Sequence, residues 1–74
     1  MTVTLYQTDV GTKYYVEAYA DIVRGLPLYG VAAYEMRGGI AYSLQSTRCT
    51  SDNVRRTYTR YVRKYKKLVS GEDE

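Results

Sequence analysis

The sequence has no histidine, a single cysteine and no apolar run long enough to cross a membrane. Without histidine, the chain lacks the commonest general base and the commonest metal ligand of proteins. Cys49 alone can form neither an internal disulfide nor a multi-cysteine zinc site. The longest uncharged stretches, residues 25–34 and 38–47, are half of the roughly 20 residues that a membrane span requires. We therefore expect a non-enzymatic binding protein that uses no cofactor and no metal.

The N-terminus shows no targeting signal. The opening residues, MTVTLYQTDVG, lack the basic region and the following apolar run of a signal peptide. A lone thiol also fits a reducing compartment better than an oxidising one. Together with the missing membrane span, these features predict a cytoplasmic protein, in the cell that makes it or in a host cell.

Tyrosine supplies all ten aromatic residues, because the sequence contains neither phenylalanine nor tryptophan. A tyrosine can bury its ring and leave its hydroxyl in water, which suits a thin core. A chain of 74 residues forms one small domain and buries only about 60% of its unfolded surface. A second copy of the chain is one source of further burial, so a homodimer is a candidate assembly.

Charge is distributed unevenly along the chain, although the total is only +3. Residues 1–47 carry a net charge of −1, and residues 48–67 carry +7 with Asp52 as their single acid. The last seven residues add −3, all of it from the end of the chain after Gly71. The sequence therefore combines a nearly neutral body with one strongly basic segment and a short acidic end.

Alternation of apolar and polar residues predicts strands at residues 2–8, 30–37 and 40–46. Gly38-Gly39 separates the last two strands, as in a two-residue hairpin turn whose residues have positive φ. Residues 24–30, RGLPLYG, are predicted to connect the earlier elements to this hairpin in an extended or turn conformation.

The segment KYYVEAYADIV, residues 13–23, fits two different structures. As a strand, it places Glu17 and Asp21 on the face opposite its apolar residues. As a helix that extends to residue 24, it gathers the charged residues into one polar stripe. The preceding turn and the Tyr and Val content favour the strand, and the helix stays as the alternative.

The segment NVRRTYTRYVRKYKKLV, residues 53–69, predicts a helix. Thr50, Ser51 and Asp52 precede it as candidate N-cap residues, and the acid among them suits the positive end of the helix dipole. Gly71 is predicted to end the helix, because glycine readily adopts the left-handed conformation found after a last helical turn.

The predicted fold is therefore α+β, with a small antiparallel meander of three or four strands packed by one C-terminal amphipathic basic helix. The alternative is a β-α-β-β-α order with residues 13–24 helical. In this prediction residues 1–69 form a single domain. Residues 70–74 form a short acidic tail that we expect to be disordered.

Helical spacing divides the last segment into two faces. The apolar arc contains Val54, Tyr58, Tyr61, Val62, Tyr65, Leu68 and Val69. The opposite side contains Arg55, Arg56, Arg60, Arg63, Lys64, Lys66 and Lys67. The helix tyrosines are therefore expected to pack on the sheet or at a dimer contact rather than to stack on nucleic-acid bases.

The basic side of this helix predicts a polyanionic partner. Like charges four residues apart, such as Arg56 and Arg60, repel each other and cost a few tenths of a kcal/mol per pair. Helix surfaces that serve only solubility usually mix both signs of charge. The run of positive charges therefore favours a partner that is DNA or RNA, a nucleoprotein complex or an acidic protein surface. The simpler alternative is a helix surface that contacts only solvent.

Three further tyrosines, Tyr15, Tyr19 and Tyr34, are expected on the sheet as candidates for base stacking or for a protein interface. The small size of the chain and its many tyrosines also suit a second hypothesis, a small inhibitor or adaptor that docks on host machinery. Viruses and mobile elements use compact proteins in this way, for example in anti-restriction or anti-CRISPR roles. This hypothesis depends on size and composition alone.

Overall fold

Four β-strands and then one helix follow each other along residues 1–72, the part of the chain that the computed structural model describes. The elements are β1 (Thr2–Val10), β2 (Tyr14–Val23), β3 (Leu26–Arg37), β4 (Ile40–Cys49) and α1 (Val54–Glu72). Each strand pairs antiparallel with the next, in the order β1-β2-β3-β4. The predicted α+β meander with a C-terminal helix is confirmed, with four strands rather than three.

The ambiguous segment forms the strand β2, and the alternative helix is wrong. Buried and partly exposed residues alternate from Tyr14 to Ala20, as expected of a central strand with two different faces. β2 pairs with β1 on one side and with β3 on the other, so its backbone groups are satisfied by neighbouring strands. This pairing outweighs the helical spacing of the charged residues.

Two tight turns of the same kind connect β3 to its neighbours. Arg24 and Gly25 lead into β3 with φ angles of 52° and 77°, and Gly38 and Gly39 leave it with 56° and 84°. Positive φ at both central residues matches the twist of a two-residue hairpin, which confirms the predicted second turn. Arg24 occupies a region that non-glycine residues seldom adopt, so the first turn was not predicted.

β3 begins at Leu26, so the prediction that residues 24–30 form a connection is wrong. Pro27 pairs with β2 on one side. On the other side, the pairing of β3 with β4 ends at Tyr29 and Cys49. Pro27 therefore lies beyond the end of the pairing between β3 and β4. The backbone N–H that proline lacks is not needed for hydrogen bonds to β4.

Both outer strands contain a bulge. The pairing of β1 with β2 passes from Thr4 to Tyr6, which leaves Leu5 as an extra residue. The pairing of β4 with β3 skips Leu44 in the same way. A bulge bends the strand and reverses the alternation of its side chains beyond that point.

The helix α1 covers one face of the sheet, across β1, β2 and β3. At the centre of this face Val16 lies opposite Ala33, and Ala18 lies opposite Val31. All four side chains have an exposed fraction of 0%. Because these side chains are small, the larger tyrosines of the helix can pack onto them. We call the face of the sheet turned away from α1 the open face.

The helix starts after Asn53 rather than directly after the predicted caps Thr50, Ser51 or Asp52. The backbone carbonyl of Asn53 accepts a hydrogen bond from the N–H of Thr57 at 2.9 Å. The Asn53 side chain turns back, and its Oδ1 accepts the N–H of Thr50 at 2.9 Å. Asn53 therefore closes the turn that leads into the helix.

The helix also ends later than predicted, because it continues through Gly71 to Glu72. A glycine inside a helix costs only about 1 kcal/mol relative to alanine, so it does not stop a helix by itself. Residues 70–72, which were assigned to the acidic tail, are helical. Asp73 and Glu74, the rest of that tail, lie outside the described residues.

Candidate functional site

The inward side of α1 holds the helix on the sheet. Val54 and Tyr65 are buried, and Tyr58, Tyr61, Val62 and Val69 pack against the core. The Tyr65 ring centroid lies 5.1 Å from that of Tyr14, and the Tyr58 ring lies 5.4 Å from that of Tyr6. The prediction that the helix tyrosines pack on the sheet is confirmed. Leu68, at the margin of the predicted arc, is 45% exposed, so its assignment to the packed face is wrong.

The outward side of α1 carries the basic residues named from the sequence, and each of them is exposed. We call this set the basic face: Arg55, Arg56, Arg60, Arg63, Lys64, Lys66 and Lys67. All but Lys66 line one surface depression of about 870 Å³, together with Asp52 and Thr59. Spacings of three and four residues align these side chains along the helix, because 3.6 residues make one turn.

Among the carboxylates of residues 1–71, whose side chains the structure describes, none forms an ion pair with a residue of the basic face. Two carboxylates of the sheet, Glu35 and Asp21, do form ion pairs. Glu35 lies 3.7 Å from the Lys13 amine and 3.0 Å from the Arg37 guanidinium. Asp21 lies 3.9 Å from the N-terminal amine of Met1. The repulsion between neighbouring bases of the helix is therefore not offset by these acids.

The chemistry of the basic face is positive charge and hydrogen-bond donation. Lys64 donates a hydrogen bond to Oε1 of Gln45 at 2.8 Å, which links this side of the helix to β4. Arginine presents a planar fork of donors that fits a phosphate or carboxylate, whereas lysine acts as a point charge. In the part of the chain described, no group of three or more His, Cys, Asp or Glu residues is placed so that it could bind a metal ion. The basic face is suited to binding anions.

The three sheet tyrosines lie on the open face. Tyr15 and Tyr19 alternate with the buried residues of β2, and Tyr34 pairs with Tyr15 across the neighbouring strand. All three are half-buried. The Tyr15 and Tyr34 ring centroids lie 5.7 Å apart, and the Tyr19 hydroxyl reaches over the backbone of Gly30. The structure therefore places these tyrosines and the basic face on opposite sides of the molecule.

Three acidic residues share the open face with the tyrosines, and sequence reasoning gave them no role. Asp9 extends from β1, and Glu17 and Asp21 extend from β2. The Thr4 hydroxyl donates a hydrogen bond to Oε2 of Glu17 at 2.6 Å. The alternation of tyrosine and acid along β2 was the signal that could have identified this surface.

Two of the open-face tyrosines, Tyr15 and Tyr34, are influenced by the neighbouring carboxylate of Glu17. Burial raises the pKa of Tyr15 and of Tyr34, and the negative charge of Glu17 raises both pKa values further. A nearby negative charge disfavours the ionised phenolate. These hydroxyls are therefore protonated donors at neutral pH, as the hydrogen bond from Tyr15 to Oε1 of Gln7 illustrates.

Two surfaces of opposite chemistry, the basic face and the open face, are thus the features from which a function can be argued. In the described part of the chain no helix combines the length and the apolar character that a bilayer crossing requires. Comparison of the chain with protein-family models, with curated proteins and with solved structures finds no match.

Proposed function

We propose that the basic face binds the phosphate backbone of DNA or RNA, free or within a nucleoprotein complex. One observation carries the proposal: seven bases are exposed on one side of α1, and within the described residues no carboxylate pairs with them. Uncompensated positive charge of this kind attracts a polyanion and speeds its encounter with the protein. The proposed role is binding, without catalysis, cofactor or metal.

The dimensions of the helix support contacts along one stretch of nucleic acid. From Arg55 to Lys67 the helix rises about 18 Å. This length matches the rise of about five base pairs of a duplex. Contacts to phosphate position a protein but carry no sequence information. We therefore expect binding with little sequence preference.

The packing of the helix tyrosines also favours recognition of phosphate over recognition of bases. Tyr58, Tyr61 and Tyr65 pack against the core, so they are not presented beside the basic face. Aromatic stacking on bases is what single-strand binding proteins commonly use. Without it, the energy of binding comes from release of the counterions that surround the phosphates.

Salt dependence tests this proposal directly. Fluorescence anisotropy would measure the affinity for short duplex DNA, single-stranded DNA and RNA between about 50 and 200 mM salt. For six phosphate contacts, the affinity should fall by about a thousandfold over this range. In an Arg56→Gln/Arg63→Gln variant, the slope of log K against log salt should become shallower by about 2.

A matched control removes two charges elsewhere on the molecule. Arg24→Asn/Arg48→Gln changes the net charge equally, and asparagine tolerates the positive φ of residue 24. This control should keep the wild-type slope. Absence of binding at low salt, or an equal change of slope in both variants, would contradict the proposal.

A protein partner is the competing explanation, because an acidic protein surface would suit the same bases. Docking as an inhibitor or adaptor is favoured by the half-buried tyrosines of the open face. A pull-down from lysate before and after nuclease treatment separates the two proposals. Capture that nuclease abolishes supports nucleic acid, whereas capture that survives both nuclease and high salt supports docking on a protein.

A further inference from the structure

The open face of the sheet is a second surface whose chemistry is opposite to that of the basic face. Its tyrosines and acids are Tyr15, Tyr19, Tyr34, Asp9, Glu17 and Asp21. In the described part of the chain, α1 packs on the other face and leaves this one uncovered. Arg48 of β4 is a base on this face, placed beside Gly30 by the strand pairing. The N-terminal amine of Met1 adds a second positive charge, 3.9 Å from Asp21. The three acids therefore exceed the two positive charges by one.

Glu17 occupies the middle of this surface. It lies between Tyr15 and Tyr19 along β2 and pairs with Ala32 of β3. Ala32 is only 3% exposed, although α1 lies on the opposite side of the sheet. Side chains of the open face must therefore cover Ala32, which means that the larger residues around Glu17 lie across the sheet rather than standing away from it.

The carboxylate of Glu17 retains capacity for a ligand. Its Oε2 accepts the hydroxyl of Thr4 at 2.6 Å, and its Oε1 has no hydrogen-bond partner among residues 1–72. A carboxylate beside aromatic rings can form an ion pair with a cation while the rings attract the same cation. The planar guanidinium of arginine uses both contacts, because it stacks on aromatic rings and bonds to carboxylates.

We propose that the open face binds a positively charged, arginine-bearing segment of a partner protein. Charge decides the class of occupant, because Asp9 and Glu17, which form no ion pair among the described residues, repel the phosphates of nucleic acid and attract a cationic chain. The half-buried tyrosines add apolar contact area at a low cost in conformational entropy. The proposal does not depend on what the basic face binds, since that face lies on the other side of the molecule.

A labelled hexa-arginine peptide is the probe that tests this surface. The full-length protein should bind it at low salt, and more tightly than it binds a hexa-lysine peptide. Glu17→Gln should weaken the binding about two- to fivefold, as expected for one partly exposed ion pair. Glu35→Gln is the matched control, because it removes the same charge from the helix side of the sheet. It should leave the affinity unchanged.

A second variant tests the contribution of the rings. Tyr34→Leu should weaken hexa-arginine binding by a similar factor while circular dichroism shows that the sheet is retained. Absence of binding, or equal losses in Glu17→Gln and Glu35→Gln, would overturn the proposal. A dimer mass in solution that falls to the mass of one chain when hexa-arginine is added would also overturn it. In that case a second copy of the chain would be the occupant of the open face. An affinity for DNA that falls in Tyr34→Leu would overturn it too.

Discussion

The two faces of the sheet bury their central residues by different means. On the side of α1, Val16 and Val31 are buried completely beneath a second layer of structure. On the open face, Gly30 and Ala32 are buried with no second layer above them in the described chain. Tyrosines can therefore cover their own sheet, because the ring is long enough to reach the next strand while its hydroxyl stays near water.

The faces differ in charge as well as in packing. The bases of α1 point away from the sheet on one side, and Asp9, Glu17 and Asp21 extend from the other. The two proposed partners, a polyanion and a cationic chain, would therefore not compete for the same side of the molecule. Four measurements would test whether the two faces differ in the ways described.

The largest difference should appear when a tyrosine is removed from each face. Tyr65→Ala empties a buried site and should lower the free energy of unfolding by about 3–5 kcal/mol. Tyr34→Ala removes a half-buried ring from the open face and should cost only about 1–2 kcal/mol. Urea denaturation followed by circular dichroism measures both. Tyr65→Phe keeps the ring as a control, and equal losses in the two alanine variants would remove the distinction between the faces.

The contact between Tyr19 and Gly30 tests whether the open face is packed. A Cβ at residue 30 would lie 2.6 Å from the Tyr19 hydroxyl, so Gly30→Ala should cost about 1 kcal/mol. In a Tyr19→Ala background the clash is gone. There, the same change should stabilise the protein by about 0.5–1 kcal/mol, because alanine suits a strand better than glycine. A double-mutant cycle gives the coupling, and additive effects would show that Tyr19 does not cover the strand.

Tyrosine titration should distinguish the faces without removing a ring. Burial raises the pKa of Tyr58 on the helix side, whereas burial and then Glu17 raise the pKa of Tyr15 and Tyr34. The folded state therefore holds these protons more tightly than the unfolded state does. The resulting stability is present below the ordinary pKa of 10.0 and is lost as pH rises through the raised values.

Glu17→Gln should consequently lower the pKa of Tyr15 and of Tyr34 towards the ordinary value and leave that of Tyr58 unchanged. Carbon-13 NMR of the ring Cζ atoms would follow each tyrosine during an alkaline titration. An equal shift at Tyr58 would mean that the carboxylate acts on the whole molecule rather than on the open face.

The smallest effect concerns Glu35, the acid on the helix side of the sheet. The hydrogen bond from Arg37 lowers the pKa of Glu35 below its ordinary value of 4.5, and the charge of Lys13 acts in the same direction. The ionised Glu35 therefore stabilises the folded state above pH 4.5, and this stabilisation is lost as the pH falls through the lowered pKa. Wild type and Glu35→Gln should differ slightly in melting temperature at neutral pH and converge in acid, and a difference that persists at low pH would contradict this assignment.

Local periodicity was sufficient to predict the helix faces and the alternation of β2. The inward positions of Tyr58, Tyr61 and Tyr65 follow from helical spacing, because any helix with an apolar arc buries that arc. The class of the fold followed from the same patterns together with the Gly38-Gly39 turn. These features depend on residues that are close together in the sequence.

The remaining features depended on contacts that a sequence pattern does not contain. The Arg24-Gly25 turn requires a non-glycine residue at positive φ, which pairing of the flanking strands supports. The acids of the open face were visible as charged positions. Their grouping with Tyr34, however, depends on the register of β2 against β3, which the pattern of a single strand does not specify.

The bulges at Leu5 and Leu44 bear on how the protein behaves at high concentration. Both lie on strands with one unpaired edge, and such an edge is a template for adding a strand from another molecule. An extra residue interrupts the regular row of hydrogen-bonding groups, so a second chain cannot continue the ladder along the whole edge. At high concentration the bulges would thus oppose the growth of fibrils through these strands.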